Sequence, residues 1–205
     1  MAKIYSIEGI IPVIDPTSFV HPDAVIIGDV IIGSGCYIGP CACLRGDISR
    51  IIIGDGVNIQ DGCVVHSFPE VDVIVEENCH VGHGAILHGC IIRKNVLIGM
   101  NSVVMDRADI GENCFVAAMS FVKSGMLVSA NKLIGGVPAK EIRPLNEEEI
   151  HWKSKGTSLY HRLATHSMLS MQEAVPLKSA ELNRRRLSYS KNDAVTLSET
   201  RLCQA

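Results

Sequence analysis

A six-residue repeat runs through most of this chain and constrains its fold more than any other feature. An aliphatic residue recurs at about every sixth position, and glycine often follows it. The recurring residues are Val20, Ile26, Ile32, Ile38, Leu44, Ile53, Ile59, Val65, Val75, Val81, Leu87, Ile92, Ile98, Val104, Ile110, Val116, Val122, Val128 and Ile134. A period of six fits neither an amphipathic helix nor an alternating strand. It predicts an all-β solenoid, a left-handed parallel β-helix whose coils each comprise three hexads around a stacked aliphatic core.

The end of the repeat divides the chain into three parts. Residues 1–144 are predicted to form the β-helix domain with an N-terminal lead-in. Asn146 precedes three glutamates, which is typical of a helix start. Within residues 145–170 we therefore expect a helix from about Glu147 to Met168, bent or interrupted at Gly156 and packed on the solenoid. Residues 171–205 are polar and are interpreted as a loosely ordered tail.

Longer steps in the repeat predict two loops that leave the solenoid. One is expected between residues 44 and 53 and the other between residues 65 and 75, because the aliphatic spacing exceeds six there. Insertions in solenoids often line a binding face. Functional residues are therefore expected near these two segments.

The cysteines are interpreted as reduced packing residues. The chain has eight cysteines but no export signal, and disulfide-rich domains are usually short and secreted. Cys36, Cys63, Cys79 and Cys114 share one position of the repeat with alanine and serine. That position is predicted to be small and buried.

Charge and hydropathy argue against two classes of partner. The formal net charge is -3, and the body of the chain has no concentrated basic stretch, which argues against nucleic-acid binding. No apolar run approaches the roughly 18 residues of a membrane span. We expect a cytoplasmic protein that binds neither nucleic acid nor a membrane.

Three histidines are the candidate metal ligands. His66 and His88 each follow an inward aliphatic residue and lie one coil apart on the same corner. At a strand spacing of about 4.8 Å, both rings can reach one metal ion with bonds of about 2.0–2.1 Å. His83 lies on another corner, so it can join them only from a neighbouring subunit. The spacing predicts a homotrimer with a zinc site at each interface, and three histidines also suit cobalt or iron.

Other polar residues fall on the two surfaces that such a trimer would join. Arg45 and Asp47 lie with His66 and His88, whereas Gln60 and Asp61 lie with His83. They are either part of a reactive site or interface hydrogen bonds that only hold a trimer together. The remaining histidines are interpreted as surface or packing residues: His21, His80, His151, His161 and His166.

These motifs resemble the γ-class carbonic anhydrase family over about residues 10–165. The resemblance rests on Leu44-Arg45-Gly46-Asp47, Ile59-Gln60-Asp61, His66 and the segment VGHGAILHGC at 81–90. It implies that His66, His88 and a neighbour's His83 bind zinc. It also implies that Arg45 and Asp47 bridge subunits, that Gln60 positions a zinc-bound water, and that Tyr160 matches a tyrosine near the site in some relatives.

Within that family, the chain is most similar to the PaaY/CaiE subgroup, which is associated with CoA-thioester catabolism. The similarity lies in residues 5–9, 87–93 and 152–157. One departure concerns proton transfer, for which well-studied relatives use glutamates, one of them directly after the aspartate. Here Ile48 follows Asp47, and Glu70 and Asp72 are the nearby acids.

Four functions fit this sequence. Zinc held by three neutral imidazoles lowers the pKa of its bound water to about 7. The resulting hydroxide could hydrolyse an acyl-CoA thioester in phenylacetate or carnitine catabolism, or it could hydrate carbon dioxide to bicarbonate. A non-catalytic accessory protein is a third hypothesis. The fourth is a hexapeptide acyltransferase, which residues 136–140 resemble.

Overall fold

The structure is a computed structural model that describes residues 2–187 and 189. It contains short strands followed by one helix. The strands are β1 (Lys3–Tyr5), β2 (Val13–Ile14), β3 (Phe19–Val20), β4 (Val25–Ile32), β5 (Tyr37–Ile38), β6 (Cys43–Ile53), β7 (Asn58–Ile59), β8 (Val64–His66), β9 (Val73–Val75), β10 (His80–Val81), β11 (Ile86–His88), β12 (Ile91–Ile92), β13 (Leu97–Ile98), β14 (Val103–Val104), β15 (Asp109–Ile110), β16 (Phe115–Val116), β17 (Phe121–Val122), β18 (Leu127–Val128), β19 (Lys132–Gly136) and β20 (Ala139–Pro144). The helix is α1 (Glu147–Ser170).

The strands form the three faces of the expected left-handed parallel β-helix. The first face runs from the start of β4 through β6, β8, β11 and β14 to β17. The second runs from the end of β4 through β6, β9, β12 and β15 to β18. The third face, called face C below, comprises β3, β5, β7, β10, β13, β16 and β19. Strands one coil apart pair in parallel, whereas β20 folds back antiparallel on β19 and covers the last coil.

The core contains the residues that the repeat predicts. All the repeating aliphatic residues from Ile26 to Val122, together with Ile134, are at most 1% exposed, whereas Val20 and Val128 are only partly buried. These two lie near the ends of the solenoid, where fewer neighbours cover them. Cys36, Cys63, Cys79 and Cys114 are fully buried free thiols, as predicted. The hexad pattern therefore identified the core correctly.

Only the second of the two predicted loops leaves the solenoid. Residues 67–72 form it, between β8 and β9. The other segment stays within the continuous strand β6, where Gly28 pairs with Gly46 and Val30 pairs with Ile51. Four residues, 47–50, therefore lie opposite Asp29 alone, and the extra length is absorbed as a bulge at one corner. The prediction of a loop there was wrong, because backbone pairing resumes immediately after the bulge.

Helix α1 is anchored to the solenoid at its N-terminus. Asn146 and Glu149 form a reciprocal capping box, and Arg143 donates two hydrogen bonds of 2.8 and 2.7 Å to the Glu149 carboxylate. The Lys153 ammonium donates to the Asn78 carbonyl and to Asn95 Oδ1. The helix packs along β3, β5 and β7, as predicted. It continues through Gly156 to Ser170, so the expected interruption was wrong, because buried residues on both sides of the glycine hold it.

The described part of the tail, residues 171–187 and 189, contains neither helix nor strand. The rest of the predicted tail, 188 and 190–205, lies outside the described residues. Within the described chain, α1 lacks the continuous apolar length that a bilayer-spanning helix needs.

Candidate metal centre

His66 and His88 lie side by side, as the sequence predicts. Their strands β8 and β11 pair in register, and the two residues are direct partners in that ladder. His66 Nδ1 lies 3.3 Å from His88 Nε2. In tetrahedral zinc sites with bonds of about 2.0–2.1 Å, ligand nitrogens are about 3.3–3.4 Å apart. The observed separation therefore matches two ligands of one metal ion.

A carboxylate holds the other ring nitrogen of each histidine. His66 Nε2 lies 3.1 Å from Asp47 Oδ1, and His88 Nδ1 lies 2.6 Å from Asp106 Oδ1. Because carboxylates accept, these nitrogens are the donors, so that a ring with a single proton keeps it there and directs the lone pair of its other nitrogen at the neighbouring histidine. Such lone pairs repel unless a cation lies between them. The two facing nitrogens therefore fit a divalent metal ion. In known metal sites, carboxylates orient the histidine ligands through the same kind of contact.

Asp106 was not identified from the sequence. It lies 18 residues after His88 and is buried. The step of one coil that relates His66 to His88 leads from His88 to Met105, because Leu87 pairs with Val104, so the repeat does not single out Asp106. Asp106 orients His88 through the contact between its Oδ1 atom and His88 Nδ1.

Arg45 and Asp47 contact each other within one chain. Arg45 Nη1 lies 3.1 Å from Asp47 Oδ2, while the other oxygen of Asp47 faces His66. Burial, assisted by the Arg45 charge, lowers the pKa of His66. Burial and the Arg45 charge thus help to keep His66 in the neutral form that binds metals, whereas the contact with Asp47 acts in the opposite direction. The expected bridge between subunits stays a prediction.

His83 lies on a different corner, as the sequence predicts. It is half-exposed, and its Nδ1 lies 3.1 Å from Asp61 Oδ2. Within the part of the chain that the structure describes, no group of three His, Cys, Asp or Glu side chains could hold a metal ion. The described residues of one subunit thus supply two ligands, and the third ligand, His83 of a neighbouring subunit, stays a prediction.

Gln60 belongs to a buried polar cluster on face C. Its amide nitrogen lies 2.9 Å from Asn58 Oδ1 and 2.5 Å from His80 Nε2. Tyr160 of α1 packs edge-on against His80, with ring centroids 5.1 Å apart. Burial is the main cause that raises the pKa of Tyr160 to about 12. Gln60, Tyr160 and His83 also line one cavity of about 420 Å³, so the structure brings these three predicted residues together.

The interpretation of His80 as a surface or packing residue is consistent with its contacts to Gln60 and Tyr160. Burial, followed by repulsion from Lys153, lowers its pKa to about 3. A polar residue at an outward position of face C is covered only because α1 packs over it. The hexad pattern carries no signal for that long-range contact.

The buried His80 predicts a loss of stability in mild acid. Its folded-state pKa lies below the unfolded value of about 6.5, so its contribution is complete above pH 6.5 and declines as the pH falls toward 3. Between pH 6.5 and pH 5 this amounts to a loss of about 2 kcal/mol in the free energy of unfolding. Urea unfolding in EDTA should show a shallower acid dependence for His80→Asn than for wild type. The exposed His151→Asn variant is the control, and equal slopes for wild type and His80→Asn would contradict the assignment.

Comparisons with known proteins agree with the observed fold. Residues 12–46 and 89–124 match the bacterial transferase hexapeptide family. The chain is 54% identical to the carnitine operon protein CaiE of Escherichia coli K12 over 183 residues, covering 89% of this chain and 93% of that protein. It is 52% identical to CaiE of Proteus sp. LE138, covering 90% and 94%.

Two solved structures are similar over most of the chain. A candidate acetyltransferase from Bacillus cereus has a TM-score of 0.81 and 38% identity, covering 82% of this chain and 99% of that one. A hexapeptide transferase family protein from Anaplasma phagocytophilum has a TM-score of 0.77 and 39% identity, covering 80% and 96%.

Proposed function

Since the chain belongs to the hexapeptide-repeat family that includes CaiE and is related to acyltransferases, we propose that it is a homotrimeric, zinc-dependent acyl-CoA thioesterase. Its substrate would belong to phenylacetate or carnitine catabolism. The observation that carries this proposal is the pair of facing nitrogens, His66 Nδ1 and His88 Nε2, 3.3 Å apart. Asp47 and Asp106 hold both rings so that these nitrogens are free to bind a cation.

The ligands would be His66 and His88 of one subunit and His83 of its neighbour. When bound, zinc would supply hydroxide near neutral pH and polarise a carbonyl group. Asp61 contacts His83 Nδ1, so it leaves Nε2 as the nitrogen for binding. The carboxylates of Asp47, Asp61 and Asp106 would thus orient one ligand each.

Gln60 would orient the attacking water. Its amide nitrogen faces Asn58 Oδ1 and His80 Nε2, and neutral His80 can accept a hydrogen bond at that nitrogen. Because the amide nitrogen of Gln60 faces Asn58 and His80, the side-chain carbonyl oxygen of Gln60 points away from these two residues. It would accept a hydrogen bond from water and so direct the water's lone pair toward the substrate carbonyl.

Carbon dioxide hydration is the second candidate, and the family resemblance favours it. Fast hydration needs a group that carries protons away from the metal. Ile48 follows Asp47 and is half-exposed, whereas Asp72 accepts hydrogen bonds from Ser49 Oγ and the Arg50 amide. These contacts engage Asp72, which leaves the exposed Glu70 as the acid that could carry protons. The lack of an acid directly after Asp47 favours thioester hydrolysis.

Acyl transfer is the third candidate, because the solved relatives are described as transferases. A transferase would use a histidine base without a metal and would need a second substrate to accept the acyl group. A non-catalytic accessory protein would bind zinc without either activity. Metal dependence and the need for an acceptor therefore separate these functions.

Elemental analysis and activity assays test the proposed function. Purified wild-type protein should contain about one zinc ion per chain and hydrolyse an acyl-CoA without an added acceptor. His88→Ala should lose zinc, and its kcat/KM should fall by more than the roughly 10–100-fold that loss of an outer contact costs. The exposed His151→Ala variant is the matched control.

Three outcomes would contradict the proposal. Hydration of carbon dioxide without hydrolysis would support the second candidate. Acyl transfer that needs no metal would support the third. Zinc binding without either activity would support an accessory role.

A further inference from the structure

Face C carries an outward-facing column of side chains that changes from aromatic to polar to apolar along the solenoid. Each member precedes an inward aliphatic residue, and neighbouring members pair in register. In order along the axis they are Phe19, Tyr37, Asn58, His80, Leu97, Phe115 and Leu133. Helix α1 packs on the strands of the first three. Beyond His80, the apolar members form the floor of a groove beside the helix.

One wall of this groove consists of small residues, and the opposite wall consists of aromatic residues. On the small side the column next to the floor contains Gly82, Gly99 and Ala117. A Cβ atom at Gly99 would lie 2.4 Å from the Ala118 backbone nitrogen, so the packing of successive coils excludes a larger residue there. On the other side, Trp152 and Tyr160 of α1 line the groove.

Polarity is concentrated at one end of the groove. Gln60, His80 and His83 line that end, and His83 is a ligand of the proposed metal centre. The other end is apolar, where Trp152 lies edge-on to Phe115 with ring centroids 6.2 Å apart. The floor from β10 to β19 spans three strand spacings, which is about 14 Å. A molecule that fits has one polar end and an apolar body of about this length.

We propose that this groove binds the apolar acyl body of the thioester, with the carbonyl at the His83 end. The inference rests on the proposed function and specifies its substrate as acyl groups of about six to ten carbon atoms, by ordinary bond lengths. The cavity of about 420 Å³ is continuous with the proposed centre because His83 lines it. Trp152 and Leu133 are the specificity-determining residues, since they lie at the end remote from His83.

The length of the groove predicts a graded affinity. Each buried methylene should tighten binding by up to about fourfold, until the chain reaches the far end of the groove. Beyond about ten carbon atoms the affinity should level off, because additional methylenes would remain in water.

The chain's single tryptophan allows binding to be measured without turnover. The probes are S-(2-oxoalkyl)-CoA ketones whose oxoalkyl groups have 3–12 carbon atoms, which keep the carbonyl but have no thioester to cleave. Added to the purified full chain, the longer probes should change Trp152 emission, and affinity should rise with length to a plateau. Free CoA should leave the emission unchanged.

Two substitutions test the position of the acyl body. Leu97→Phe narrows the groove and should weaken binding of the eight-carbon probe at least tenfold, while Leu127→Phe, at a 79% exposed position on another face, should not. Trp152→Ala, followed by calorimetry, should move the plateau to longer chains. The groove assignment would be overturned if the affinity did not depend on probe length. It would also be overturned if neither Leu97→Phe nor Trp152→Ala changed the affinity.

The experiment separates this inference from the proposed activity. Length-dependent binding without hydrolysis of any acyl-CoA would support the groove and refute the thioesterase. Zinc-dependent hydrolysis without length-dependent binding would support the thioesterase and refute the groove.

Discussion

Two inactive variants, His83→Ala and His88→Ala, should recover about a quarter of wild-type hydrolysis when they assemble together. Each proposed site takes His66 and His88 from one subunit and His83 from the next. In a mixed trimer, one interface in three joins an intact His88 to an intact His83. Because random assembly makes about three quarters of the trimers mixed, about one site in four should be intact.

Co-expression with two affinity tags isolates the mixed trimers, in which the recovery should rise to about one third of wild-type hydrolysis. The control pairs His66→Ala with His88→Ala. Both changes remove a ligand from the same side of the interface, so no combination of these subunits contains a complete site. Recovery in the control, or none in the test pair, would rule out the shared centre.

Asp106→Asn should weaken zinc binding by about 10–100-fold, as loss of an outer contact does in known zinc sites. Asp106 Oδ1 lies 2.6 Å from His88 Nδ1 and holds the proton on that nitrogen. An asparagine of similar size can present its amide nitrogen there instead. That would favour the other tautomer and place a proton on the nitrogen that must bind the metal.

Competition with a chelator measures this change in affinity. The control is Asp109→Asn, because Asp109 lies three residues further on and pairs with Arg93 at 2.7 Å. Both variants remove one negative charge from the same part of the solenoid. Equal zinc affinities in the two would show that Asp106 does not orient a metal ligand.

Several features of the fold could be predicted because they depend on local periodicity. The hexad repeat alone identified the buried aliphatic column and the four buried cysteines. The same step placed His66 beside His88, since every coil repeats the one before it. Asn146 and the three glutamates after it predicted the start of α1, because an N-cap and first-turn acids involve only neighbouring residues.

Other features were settled by contacts between distant parts of the chain. The extra residues after Leu44 indicated an insertion. Whether this insertion forms a loop or a bulge depends on the pairing of β6 with β4, which makes it a bulge. His80 became a buried histidine because α1, some 70 residues later in the sequence, packs Tyr160 over it. No repeat records such a contact, since it depends on how the helix lies against face C.

By itself, the sequence determined the solenoid, its core and the corner shared by His66 and His88. A periodic chain can satisfy its backbone hydrogen bonds and bury its aliphatic residues only by stacking equal coils. Only the tertiary structure decided the orientation of these histidines, through Asp47 and Asp106, and the apolar groove beside α1. Side-chain directions and the helix position depend on packing across the whole molecule, which a six-residue pattern does not encode.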